Sequence, residues 1–243
     1  LYFPDVKARN SELDDPIYQF YPLRVEAVRQ WKAGHIPLWN PNILCGTPLL
    51  ADGIAKPLDP LILLWFVFAA PVAHALQLMA QFILMASGMY ILARALDFPR
   101  VGATVAAVVF TFNPLSFTWM ELRTATGAFA FFPWAFLLLL VAFQRGSIVY
   151  AALAGLFAAL MEFAGHPQFA LYGFAALAAF VVYRCVVDYR AAGVGKAFAT
   201  FRLGVLALFL GFAFSAVETI PFLELIRHSA RNPRQYEAAN LYS

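Results

Sequence analysis

The chain has 243 residues, of which 62% are hydrophobic and 13% charged, with mean hydropathy +0.70 and a formal net charge of +3. Soluble domains are about half apolar and a quarter charged, so this composition excludes an ordinary soluble enzyme and indicates an integral membrane protein. The small positive balance is spread along the chain and offers no basic patch to a nucleic acid.

Residues 1–57 form a polar, aromatic and proline-rich region that stands ahead of the apolar remainder. Asp15 before Pro16 is placed to cap a helical turn, and Pro22 suits the first turn of a helix ending at Ala33 and stopped by Gly34. The prolines of HIPLWNP and GTP then predict successive turns rather than regular structure. Pro60 and Pro71 bracket a stretch too short to cross a bilayer, so 58–71 reads as an interfacial or re-entrant helix with Trp65 at headgroup level.

Six spans are expected at 72–94, 101–120, 128–143, 147–164, 167–187 and 203–223, with a polar segment over 226–243. Helices are expected because lipid offers the backbone no partners. Small residues such as Ala151, Ala154, Gly155, Ala158, Gly204 and Gly211 fit close helix packing. Arg94, Arg100, Arg145, Arg184, Arg190, Lys196 and Arg202 gather in alternate loops, which the positive-inside rule makes cytoplasmic. The N-terminal region, the 120–127 loop and the Gly165-His166-Pro167 turn then share the extracytoplasmic side, although Lys7, Arg24, Lys32 and Lys56 also fall there. Cys45 and Cys185 fall on opposite sides, which disfavours a disulfide between them. The chain opens on Leu1 and ends in a polar run, and it reads as a piece of a longer protein.

Ionisable residues at a membrane boundary are costly, so Asp14, Asp15, Arg24, Glu121, Arg123, Glu162, His166 and Glu218 invite a functional reading. Asp15 is equally a turn cap or a catalytic base. Glu121 and Arg123 are a surface pair, or Arg123 is an anion contact and Glu121 an acceptor or divalent-metal contact. His166 is an interfacial anchor or a phosphate contact, and Glu162 lies one helical turn before it. Glu218 reads as a cap on the outer end of the last span. No second His or Cys at ligand spacing points to zinc, and no Walker, dinucleotide or serine-elbow motif is present.

Asp15-x-x-x-Gln19-Phe20-Tyr21-Pro22, Gly34-His35-Ile36-Pro37-Leu38-Trp39-Asn40-Pro41 and Cys45-Gly46-Thr47-Pro48-Leu49-Leu50-Ala51-Asp52 together resemble the opening loop of the bacterial YfhO-like membrane proteins. Ala164-Gly165-His166-Pro167-Gln168 and Glu218-Thr219-Ile220-Pro221 resemble later parts of the same family. The resemblance implies a GT-C-like fold, a polytopic all-α bundle with a large extracytoplasmic N-terminal loop. It implies an inverting glycosyltransferase of the bacterial cell membrane, moving a sugar from a polyprenyl-phosphate donor to an envelope glycan or lipid acceptor. Asp15 is the expected general base by motif position, with Asp14 as fallback. Gln19, Arg24, Trp39, Asn40, Glu121, Arg123, His166 and Gln168 are the expected substrate contacts; no particular cofactor is implied, with a divalent metal as an option. A transporter or flippase of lipid-linked saccharides, or an envelope-assembly scaffold, are the alternatives.

Overall fold

The computed structural model describes residues 15–120 and 124–228, and it is an all-α membrane protein built around one long central helix. Asp14, Glu121 and Arg123 lie outside the described residues. A wide helical turn, Pro16–Phe20, leads into α1, Tyr21–Lys32. Gly34 ends α1 at φ +78, a left-handed conformation that glycine adopts without penalty, and His35 N–H returns to the Gln30 carbonyl at 3.0 Å. The expected helix and its stop are therefore both present.

The proline-rich stretch contains a minimal hairpin, β1 (Trp39–Asn40) with β2 (Thr47–Pro48), pairing Trp39 with Pro48 and Asn40 with Thr47. Leu44, Cys45 and Gly46 all have positive φ at its tip. A Cβ on Gly46 would lie 2.6 Å from the Trp39 indole, so this turn needs glycine both for its backbone and for contact with the ring.

Within 58–71, expected as an interfacial or re-entrant helix, the chain forms a 3-10 turn, Pro60–Leu63, followed by one helical turn, α2 (Leu64–Val67). Trp65, expected at headgroup level, packs inside the protein. It is 2% exposed, and its indole N–H donates to Gln77 Oε1 at 2.8 Å. Its buried N–H is satisfied within the protein, while Phe66 and Phe68 remain exposed.

The bundle comprises α3 (Ala70–Ala95), α4 (Arg100–Thr111), α5 (Pro114–Thr118), α6 (Thr124–Arg145), α7 (Ile148–Ala164), α8 (Pro167–Ala192) and α9 (Val194–His228). Five segments are long and apolar enough to cross a membrane: α3, Arg100–Thr118, most of α6, α8 and α9. Helix α7 is apolar but only 17 residues, roughly 26 Å long. The Arg100–Thr118 segment breaks at Asn113-Pro114. Asn113 accepts from the Ser116 N–H at 3.0 Å and donates to the Phe110 carbonyl at 2.6 Å, so the break satisfies itself locally.

Helix α6 is central, with 67% of its apolar window buried against 22–33% for the other four spans. It packs on α3 and α7, and α7 and α8 in turn pack on α9. Small residues make these approaches possible. A Cβ on Gly155 would lie 2.6 Å from the Ala207 carbonyl, and one on Gly204 would lie 2.4 Å from Val181. The outer faces of α3, α4, α8 and α9 carry exposed Val, Ile, Leu and Phe, as lipid-facing surfaces do. At the end opposite the loop, Asp188 accepts from Arg184 at 3.2 Å and from Thr200 at 2.6 Å, tying α8 to α9.

Candidate functional site

The described segment from α1 to Asp59 is anchored by two buried polar assemblies. In the first, Arg24 projects from α1 and donates to the Lys56 carbonyl at 3.0 Å and to Asp59 Oδ2 at 3.3 Å. Asp59, fully buried, also accepts from Gln77 of α3, and its other oxygen caps the Leu61 N–H at 2.9 Å. Trp31 and Gln30 add bonds to the Pro57 and Trp39 carbonyls at 3.0 and 2.8 Å. Helix α1 is thus held to the following loop along its whole length.

The second assembly is built by the LLAD segment. Asp52 Oδ1 accepts the Ile54 and Ala55 N–H groups at 2.7 and 2.8 Å, an Asx turn that folds the chain inward. Lys56 follows with φ +48, a conformation that costs a non-glycine residue roughly 1–2 kcal/mol. That backbone aims its side chain into the bundle, where it has no exposed surface. Lys56 Nζ donates to Glu218 Oε1 of α9 at 2.7 Å and to the Glu162 carbonyl of α7 at 2.9 Å, and it lies 3.7 Å from Glu162 Oε1. Glu218 is therefore not a cap on the outer end of its span. It is 1% exposed and joined to a residue 162 positions earlier.

These contacts put the loop, the α7–α8 turn and Glu218 at the same end of the bundle. Gly53 completes the junction, where an added Cβ would lie 3.1 Å from Phe222 and 3.6 Å from Pro167. Between this loop and α9 runs a cleft of about 380 Å³ lined by Leu38, Leu50, Pro221, Glu224 and His228.

Burial pushes the Asp52 carboxyl up to about 6 from an ordinary 3.8, against the pull of its two backbone N–H donors and of Lys56 and Arg24. Because the folded state binds this proton more tightly, the stabilisation it brings is complete below pH 3.8 and is lost as pH rises to about 6. The difference corresponds to at most about 3 kcal/mol. Asp52→Asn keeps the acceptor for the turn and removes the titration. Its thermal midpoint should hold between pH 4 and pH 7, where that of the parent falls, and parallel pH curves for the two proteins would refute the assignment.

His166 stands at the N-terminus of α8, half-buried, and its Nδ1 accepts the Gln168 N–H at 3.2 Å. Burial, reinforced by the Lys56 charge, holds the imidazole below its usual range. It is neutral at pH 7 with its proton on Nε2, so it offers a donor but no positive charge. Its ring contacts Trp119 and Phe169 edge-on, and beside Phe169 lies an apolar cleft of about 250 Å³ lined by Phe110, Phe129, Phe132, Met161 and Tyr172.

The remaining expected site residues divide by environment. Asp15 and Gln19 are exposed at the wide turn before α1, and Asp15 makes no side-chain cap bond. Trp39 is exposed over Gly46, whereas Asn40 is buried and accepts the Asn42 N–H at 3.0 Å. Gln168 is exposed and donates to the Tyr172 hydroxyl at 2.7 Å. Arg24 is committed to Asp59. Among the described residues no group of three His, Cys, Asp or Glu is arranged to hold a metal ion. Comparison with protein-family models, curated proteins and solved structures finds no match for the chain.

Sequence reasoning did not single out Lys56, Asp59, Gln77 or Gln81, of which the last accepts from Thr126 at 2.7 Å across α3 and α6. One signal was present. Two acidic residues inside apolar spans, Glu162 and Glu218, require a cation, and Lys56 sits on the loop that faces them.

Proposed function

We propose that the protein is a membrane glycosyltransferase that takes a sugar from a polyprenyl-phosphate donor at the extracytoplasmic face and passes it to an envelope glycan or lipid acceptor. The observation that carries this reading is the state of Asp15. Its carboxylate is exposed and caps nothing, yet it heads a helix fixed by the Arg24–Asp59–Gln77 assembly. A general base needs both properties, access to the acceptor hydroxyl and a fixed position. The turn that carries it is π-helical, a geometry that recurs at functional sites.

In this mechanism Asp15 takes the proton from the acceptor hydroxyl as that oxygen attacks the anomeric carbon. The sugar–phosphate bond breaks with inversion, and the polyprenyl phosphate leaves without needing a general acid. Trp39 presents an aromatic face to the sugar, and Asn40 shapes the hairpin beneath it. His166 donates through Nε2 to the phosphate, and Gln19 and Gln168 supply further polar contacts. The phosphate's charge is left to Arg123, and any divalent metal to Glu121. The cleft beside Phe169 suits an isoprenoid chain entering from the lipid.

The decisive experiment profiles envelope glycans by mass spectrometry in a deletion strain of the host, complemented by wild type or Asp15→Asn at matched expression. A hexose modification should vanish on deletion, return with wild type, and stay roughly 10²–10⁴-fold reduced with the variant. Equal restoration by both would remove Asp15 from the chemistry. The transporter or flippase reading would then lead, because buried ionisable clusters such as Lys56–Glu162–Glu218 also serve ion-coupled transport.

A further inference from the structure

The carboxylates around Lys56 outnumber the cations. Asp52, Glu162 and Glu218 face one ammonium in a region closed to solvent, and ionisation of all three would leave two uncompensated negative charges. The neighbouring Arg24–Asp59 pair is balanced and supplies no surplus. His166, on the α7–α8 turn, is neutral. Two oxygens in this cluster, Glu218 Oε2 and Asp52 Oδ2, are buried and accept no hydrogen bond from any described residue. A bare carboxylate oxygen in such a place costs several kcal/mol, and the usual resolution is uptake of a proton. The geometry does not suit a metal ion, since the ammonium already occupies the point between the two glutamates.

We propose that this cluster is a proton-binding site, with Glu218 carrying an exchangeable proton on Oε2 at neutral pH, and that the proton holds the Asp52–Asp59 loop on α7 and α9. Protonated Glu218 still accepts the Lys56 bond through Oε1. Loss of its proton to water places a second negative charge beside Glu162 and Asp52 around one ammonium. The loop that carries Lys56 and Asp52 is the element able to move in response, because α7 and α9 are packed against each other along their small-residue faces. The ligand of this site is thus a proton, and its readout is the position of the loop that follows the hairpin.

Infrared spectroscopy of the full-length protein in lipid nanodiscs tests this directly. Wild type at pH 7 should show a protonated carboxylic-acid C=O stretch that shifts in D₂O and disappears on alkaline titration. Glu218→Gln, an isostere of the protonated acid, should lack that band. Hydrogen exchange over Ala51–Leu58, corrected for intrinsic rates, should rise in wild type across the same alkaline titration and stay unchanged in the variant. Absence of an acid band from wild type at pH 7 would overturn the proposal even if the variant failed to fold. So would a band that survives in Glu218→Gln, or a loop protected by sodium or potassium at constant pH instead of by protons.

Discussion

Lys56→Met should destabilise the protein by about 3–5 kcal/mol at neutral pH, because it removes the cation from between Glu162 and Glu218 and leaves buried carboxylates without a partner. Methionine fills nearly the same volume, so the loss is electrostatic and not a cavity. The size of the effect should depend on pH with a definite sign. The stranded carboxylates remain inside only when protonated, so the variant should recover toward acid pH and deteriorate as pH rises. Adding Glu218→Gln should restore part of the lost stability, since a neutral pair replaces an unpaired charge. Denaturation of the purified protein in mild detergent at several pH values compares the parent with both variants. A Lys56→Met protein as stable as the parent at pH 7 would mean that the cluster holds no net charge.

Gly127→Ala is the second large effect, and its cause is purely steric. A Cβ at this position of α6 would lie 1.9 Å from the carbonyl oxygen of Ala164 and 2.6 Å from its carbon. Backbone atoms cannot rotate aside as a side chain can, so the two helices must separate. Gly165 has the reciprocal constraint, with its own Cβ position 2.5 Å from Ala128. The expected cost is at least about 3 kcal/mol, at the top of the overpacking range. Gly195→Ala is the matched control, because it is helical with open space around it and should gain roughly 0.5–1 kcal/mol. The Gly127 effect also reaches the candidate site. Ala164 lies between Glu162 and His166, so prising α6 from α7 displaces both. Equal stability of the two alanine variants would show that α6 and α7 do not touch at this point.

Much of the helical framework was legible from local signals. The start of α1 near Pro22 and its stop at Gly34 rest on proline and glycine backbone preferences, and both appear where expected. Of the six expected apolar runs, five coincide with segments long and apolar enough to cross a membrane and one with the shorter α7; most ends moved outward, most of all in α9, which begins at Val194 instead of near 203, while the second run stops at Thr118. Hydropathy windows passed over the Asn113-Pro114 break because a helix interruption that satisfies its own backbone leaves no mark on average apolarity. The burial of Trp65 left no mark for a related reason. An indole beside a proline-bounded apolar stretch looks the same whether its N–H meets a lipid headgroup or Gln77.

Composition and periodicity determined that this is a multi-pass helical membrane protein with a polar, proline-rich region at one end, because both properties follow from what a bilayer demands of each short segment. Only the tertiary structure decided which buried charges meet. Lys56 reaches Glu162 and Glu218 across 106 and 162 residues, and Arg24 finds Asp59 across 35. Local rules state that a buried carboxylate must have a partner and cannot say which one, since that choice depends on the left-handed turn at Lys56 and on the depth at which α7 and α9 pack together. The same division applies to Arg24 and Asp15, neighbours in one polar region: packing commits the first to the interior and leaves the second exposed at the surface.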